Sequence, residues 1–217
     1  MEKLVLIDID GVLNALCNPA NPPRISTHWM GKWSNFTITR DSNPEFFENS
    51  NPKTTEYLIN FSLELLESLS DLSRGFKAEN SNIDDPSNEI DEKTHSENLV
   101  RFGWLTTWLN SAHEIFCKET GFTEGLNWKV FEGDVNSKIW WKLTVVKEIL
   151  KENPDLHVIF LEDEVDTEDN IEDFEKLIEE TSRLTVVNPS TYRGLTRNEV
   201  SILSSMLKSP IPGIISL

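Results

Sequence analysis

Near its start the chain reads "KLVLIDIDGVLNAL", and this stretch restricts the possible folds more than any other. Leu4 to Ile7 is a short, unbroken apolar run rich in branched side chains, the pattern of a strand covered on both faces. Along an extended chain residues i and i+2 point to the same side, roughly 6.5 Å apart. Asp8 and Asp10 therefore present two carboxylates together at the carboxyl end of the strand. Like charges so close repel, and burying them unpaired is costly. A bound cation resolves the conflict, and Gly11 lets the backbone turn sharply beside it.

Further short apolar runs alternate with helical periodicity. "LVRFGWL" predicts a strand over 99–105, "LHVIFL" another over 156–161, and "RLTVVNP" a fourth. Between them, Leu58, Phe61, Leu65, Leu69 and Leu72 share one face of a helix that Gly75 would stop. Trp108, Leu109, Ala112, Ile115 and Phe116 mark a helix ending near Gly121. A helix from about Lys138 turns Val145, Val146, Ile149 and Leu150 inward, with Pro154 beyond its end. Thr167 is placed to cap a helix carrying Ile171, Phe174 and Ile178, and Thr196 with Glu199 forms a capping-box pattern for the last. Strands alternating with helices imply an α/β domain built on a parallel sheet with helices on both faces. At 217 residues the chain reads as a single domain, 1–217.

Two segments stand outside this pattern. Residues 17–53 are rich in Pro, Asn, Ser and aromatics; they read as a flap or small cap holding a hairpin that turns near Gly31. Residues 77–98 contain only Ala78, Ile83 and Ile90 as apolar side chains, too few to order the stretch, and read as a disordered acidic insertion.

Composition narrows the partners. A net charge of −17 argues against a broad nucleic-acid footprint. Residues 1–40 are the exception, with Lys3, Arg24, Lys32 and Arg40 against Glu2, Asp8 and Asp10, so an anionic substrate would be admitted there if the asymmetry is more than chance. The apolar runs are too short to span a bilayer, Met1 to Ile7 lacks a signal-peptide pattern, and two cysteines without ligand spacing fit a reduced, cytoplasmic setting.

Ligands of open parallel sheets bind beyond the carboxyl ends of the strands. The residues at those ends form one set: Asp8 and Asp10, then Thr106 and Thr107, then Glu162 and Asp163, with Lys138 and Lys142 from the intervening helix. In that order "DIDGVL", "WLTT" and "LEDEVD" resemble the first, second and fourth motifs of the haloacid dehalogenase-like hydrolase superfamily, over roughly residues 3–190. "GWLTTW", "WWKL" and "NPSTYRGLT" are similar to a bacterial subgroup associated with RNA repair, whose fourth motif usually has aspartate where this chain has Glu162.

The resemblance implies a Rossmann-like three-layer α/β/α sheet with a small cap or flap after the first strand, and a Mg²⁺-dependent phosphatase. Asp8 would be the nucleophile and Asp10 the general acid–base. Asp8, the Asp10 carbonyl and Asp163 would hold Mg²⁺ with Glu162 in support. Thr106 and the Thr107 amide would bind phosphoryl oxygens, and Lys142, preferred over Lys138 for its place in "WWKL", would add positive charge. The substrate would be a small phosphomonoester, with a nucleotide or RNA end as a narrower option.

Simpler readings exist for the same residues. Carboxylates often end strands by reaching solvent, Thr106 can be a cap, Lys142 a surface lysine, and Glu162, Glu164 and Asp166 an acidic loop. Trp104, Trp108, Trp140 and Trp141 read as core, while Trp29 and Trp33 are candidates for a substrate-facing flap. His28, His95, His113 and His157 have no metal-site spacing. The functional alternative is an inactive binding or regulatory protein on the same scaffold; phosphoryl transfer between metabolites is a second enzymatic option.

Overall fold

The computed structural model describes residues 2–16, 29, 33–41, 54–81, 99–134, 140–165 and 170–216. The first strand, β1 (Glu2–Ile7), lies inside a six-stranded sheet. In chain order the other members are β4 (Val100–Trp104), β5 (Lys129–Val130), β6 (Leu156–Leu161), β7 (Leu184–Asn188) and β8 (Gly213–Ser216). Their spatial order is β5-β4-β1-β6-β7-β8, and every pairing is parallel. The remaining two strands, β2 (Trp33–Asp41) and β3 (Thr54–Ser62), make a separate antiparallel pair between β1 and the first helix.

Alternation along each central strand divides the core between the two faces of the sheet. Val5, Ile7, Ile159, Leu161 and Val187 pack with Leu65, Leu66 and Leu69 of helix α1 (Leu63–Ser81) and with Val200, Leu203 and Met206 of α5 (Arg197–Met206). A π-helical segment, Ala112–Cys117, and the helical turn α2 (Lys118–Thr120) add Phe116 to that face. Leu4, Leu6, Val158, Phe160 and Val186 meet the opposite layer, α3 (Trp141–Glu152) and α4 (Ile171–Thr181). The fold is therefore α/β, with helices on both sides of a parallel sheet.

Several expectations hold at the level of single residues. Val145, Val146, Ile149 and Leu150 are buried on α3, Gly121 ends α2 in the left-handed conformation, and the Thr196–Glu199 capping box is formed. Others need correction. Leu58 and Phe61 lie on β3, not on a helix, and α1 begins only at Leu63. Gly75 does not stop α1, which runs on to Ser81; so 77–81 are helical, and the rest of the expected insertion, 82–98, lies outside the described residues. Residues 33–41 pair with 54–62, which carries this element past the expected 17–53 limit; the other arm of the expected hairpin, before Gly31, lies largely outside the described residues. Its Gly31 turn lies outside the described residues, as does Thr167. The N-cap of α4 is Asn170.

Trp29 is packed into the core. It is 6% exposed within the core, its indole N–H donates to the carbonyl of Leu195 at 2.7 Å, and Arg197 lies over its ring. Trp33, partly buried, donates to the Trp29 carbonyl. His113 and His157 are held by Trp128 O and Thr185 Oγ1 respectively.

The topology fixes where a ligand can sit. From β1 the chain passes outward to β4 and β5, then returns through α3 to β6 on the other flank of β1. The order reverses at β1, and the switch point of a parallel sheet opens a crevice at the carboxyl ends of its strands. That crevice is where Asp8 and Asp10 emerge.

Candidate functional site

Three strand ends are joined at the crevice by backbone hydrogen bonds. Asp8 N–H donates to Leu161 O at 3.1 Å, and Leu105 N–H donates to Ile7 O at 3.1 Å. The residues that follow β1, β4 and β6 are thereby brought to one edge, as their positions in the sequence predict.

Lys142 is the electrostatic centre. It sits on the first turns of α3, 2% exposed, and its Nζ donates to Asp8 Oδ2 and to Glu162 Oε2, each at 2.7 Å. Burial by itself would lower the pKa of this ammonium; the charges of Asp8 and Glu162, with hydrogen bonds to both, more than reverse that and raise it. Lys142 is therefore a buried cation and not a surface lysine. Its rival Lys138 lies outside the described residues.

Asp8, Glu162 and Asp163 form a buried acidic triad whose carboxylate oxygens lie within 4.8 Å of one another. Burial, then the charge of Asp8, pushes the Glu162 carboxyl up. Asp163 is raised to about 6, by burial first and by the Asp8 and Glu164 charges, with a bond to the Thr191 hydroxyl opposing. One lysine offsets only part of this accumulated negative charge.

The triad fits a metal ion on two independent counts. Asp8 Oδ1 is buried with no hydrogen-bond partner, an expensive state for a carboxylate oxygen unless a cation faces it. Gly11, at φ +70°, passes so close to Asp163 that a Cβ there would stand 2.0 Å from Asp163 Oδ2. Only glycine allows the Asp163 carboxylate to lie against this turn. Glu162 is differently placed: Oε2 receives Lys142 and Oε1 receives the Glu164 N–H at 3.1 Å. Asp8 and Asp163 are thus the better-placed ligands, with Glu162 beside them holding the lysine.

Asp10 keeps both oxygens engaged by neutral donors. Asn14 Nδ2 reaches Oδ1 and the Trp108 indole N–H reaches Oδ2, each at 2.8 Å. Asn14 in turn accepts the Asn60 N–H from β3 at 2.8 Å, so the antiparallel pair touches the loop that orients Asp10. Thr106 is fully buried after β4, and its hydroxyl accepts the Trp108 N–H at 3.3 Å, capping the turn. Thr107, the next residue, is exposed. With its amide nitrogen turned to the β6 loop, Asn188 at the end of β7 donates to the carbonyls of Glu162 and Asp163, at 3.0 and 3.1 Å. Glu164 extends outward, and Asp166 lies outside the described residues.

The structure thus brings Asp8, Lys142, Glu162 and Asp163 into direct association and holds Asp10 on the same loop. Sequence reasoning misses Asn14, Trp108 and Asn188. Trp108 is 3% exposed and does belong to the core, yet a buried indole N–H needs an acceptor, and that requirement was the available signal. A buried asparagine carries the same signal at Asn14.

No protein-family model, no curated protein and no solved structure matches this chain.

Proposed function

We propose that the chain is a phosphomonoester hydrolase of the haloacid dehalogenase-like type, working with Mg²⁺ through an aspartyl-phosphate on Asp8. The observation that carries this reading is the buried Asp8–Lys142–Glu162 arrangement beside Asp163, at the switch point of a parallel sheet. A carboxylate held by an ammonium and backed by further carboxylates suits attack on a phosphoryl group that is itself drawn in by a cation. The β2–β3 pair, inserted directly after β1, would be the flap or small cap over the site.

The steps follow from the residues. The Asp8 carboxylate attacks phosphorus; the bond to the leaving oxygen breaks, and Asp10 gives that oxygen a proton. Water then attacks the aspartyl-phosphate and passes a proton to Asp10, which restores both carboxyl groups. Asn14 and Trp108 keep Asp10 aimed through both steps. Lys142 stabilises the charge on Asp8 and the transferring group, while the Thr106 hydroxyl and the Thr107 N–H, which follow the β4 end that is bonded to the β1 end, would bind phosphoryl oxygens. Asp8 and Asp163 would hold Mg²⁺, which supplies charge neutralisation between nucleophile and phosphate.

The test is Mg²⁺-dependent release of phosphate from acetyl phosphate by the purified chain, with Asp8→Asn as the control. Turnover that disappears with EDTA and in the variant supports the reading. A chain that binds Mg²⁺ and releases no phosphate would instead be a binding protein on the same scaffold.

A further inference from the structure

We infer that the cavity between the β2–β3 pair and Asp10 is the subsite for the leaving group, and that it selects phosphomonoesters of uncharged, apolar or aromatic alcohols. The inference rests on the phosphatase reading above and adds a substrate class to it. The cavity has a volume of about 310 Å³, within the range of small-molecule sites, and Asp10 and Asn14 share its wall with Leu16, Tyr57, Leu58 and Trp108. Asp10 is the group assigned to protonate the leaving oxygen, and this cavity, which Asp10 walls, is therefore placed to hold the group that leaves.

Three features set its preference. Leu16, Tyr57 and Leu58 are 52%, 48% and 46% exposed, and these large apolar side chains converge on one cavity from two separate segments. Apolar surface gathered at the mouth of a pocket marks a binding site. Apart from the Tyr57 hydroxyl, the polar wall is already committed, because Asn14 and Trp108 donate to the two oxygens of Asp10 and Asn14 accepts from Asn60. A sugar or polyol would find few free partners for its hydroxyls. Finally, the described lining contains Asp10 and no lysine, arginine or histidine, so an anionic leaving group would meet like charge.

The experiment compares kcat/KM, with Mg²⁺, for benzyl phosphate, glycerol phosphate and phosphoglycolate, all phosphates of aliphatic alcohols. Acetyl phosphate serves as a probe of the chemistry alone. Benzyl phosphate is expected to exceed both others by tenfold or more. Tyr57→Ala should reduce that ratio severalfold, and Leu58→Lys should reduce it while raising the relative use of phosphoglycolate. Circular dichroism confirms that each variant is folded, and either variant alone suffices for the test. If acetyl phosphate is hydrolysed but the benzyl preference is absent, or survives both substitutions, the subsite assignment is wrong and the phosphatase stands. If acetyl phosphate is not hydrolysed, the phosphatase reading falls and takes this inference with it.

Discussion

Lys142 Nζ lies 2.7 Å from Asp8 Oδ2, across 134 residues of sequence, with both side chains buried. Removing one member of a buried pair leaves the other charge uncompensated, typically at a cost of about 3–5 kcal/mol. Lys142→Met should therefore lower stability by about that amount, since Asp8 and Glu162 would then face each other. Millimolar Mg²⁺ should recover part of the loss, because a cation can take over the neutralisation. Urea unfolding of wild type and variant, with and without Mg²⁺, measures both effects. A variant as stable as the wild type in EDTA would mean that the lysine does not compensate this cluster.

Asp8→Asn and Asp10→Asn should fail in different ways. The first closes the covalent route, since an amide cannot attack phosphorus, and the fold should persist because Glu162 still pairs with Lys142. The second keeps the backbone and removes acid–base catalysis, typically about 10²–10⁴-fold, while its amide N–H also displaces one of the two donors, Asn14 or Trp108. An aryl phosphate needs little leaving-group protonation, so a phosphoenzyme should form in Asp10→Asn and persist. Intact-mass analysis should find the adduct on Asp8. Wild-type turnover by Asp8→Asn would exclude Asp8 as the nucleophile.

The Trp108 indole gives Asp10 one of its two donors, and Trp108→Phe removes that N–H while keeping most of the ring. A hydrogen bond typically contributes about 0.5–1.5 kcal/mol net. If it serves to aim Asp10, kcat should fall severalfold, up to about tenfold, and KM change little. An equal change in both, or a fall in stability with kcat intact, would reduce Trp108 to packing.

His157 predicts an acid limit for the fold. Burial first, then the charges of Lys3 and Arg183, lowers its pKa to about 4 from an ordinary value of 6.5. The unfolded chain therefore takes up the proton that the folded chain refuses. Stability from this group is complete above pH 6.5 and declines as pH falls toward 4, by up to about 3 kcal/mol. In His157→Gln the pH dependence of unfolding free energy should be flatter in that interval. The same slope in both proteins would assign the acid transition to the carboxylates.

The sheet was legible where strands are short, apolar and end in charged or hydroxyl residues, as in "LVLIDID", "FGWLTT" and "HVIFLED". Those endings also named Asp8, Asp10, Thr106, Glu162 and Asp163, because a parallel sheet delivers such positions to one edge. β3 was misread for a specific reason. Leu58, Phe61 and Leu65 satisfy a helical spacing that continues into α1, while the partner strand of β3 lies at 33–41 and leaves no local trace. β5 and β8 have two and four residues, at the edges of the sheet, and carry too little pattern to be found. The donors to Asp10 are tertiary; nothing in the spacing of Asn14 or Trp108 announces them.

β1 is hydrogen-bonded on both flanks, by β4 and β6, and its residues Leu4 to Ile7 are buried. Its amide protons can reach solvent only when the whole sheet comes apart, so Val5, Ile7 and Asp8 should be among the slowest to exchange with deuterium. The carboxylates that follow this strand are thereby anchored to the longest-lived part of the molecule. The β2–β3 pair is not hydrogen-bonded into the six-stranded sheet, although Asn60 ties it to the loop after β1 and Ile59 and Phe61 pack into the core; its amides are expected to exchange sooner than those of β1. Hydrogen exchange should then show two clocks: a slow one for the groups that would do chemistry, and a faster one for the wall through which a ligand would enter.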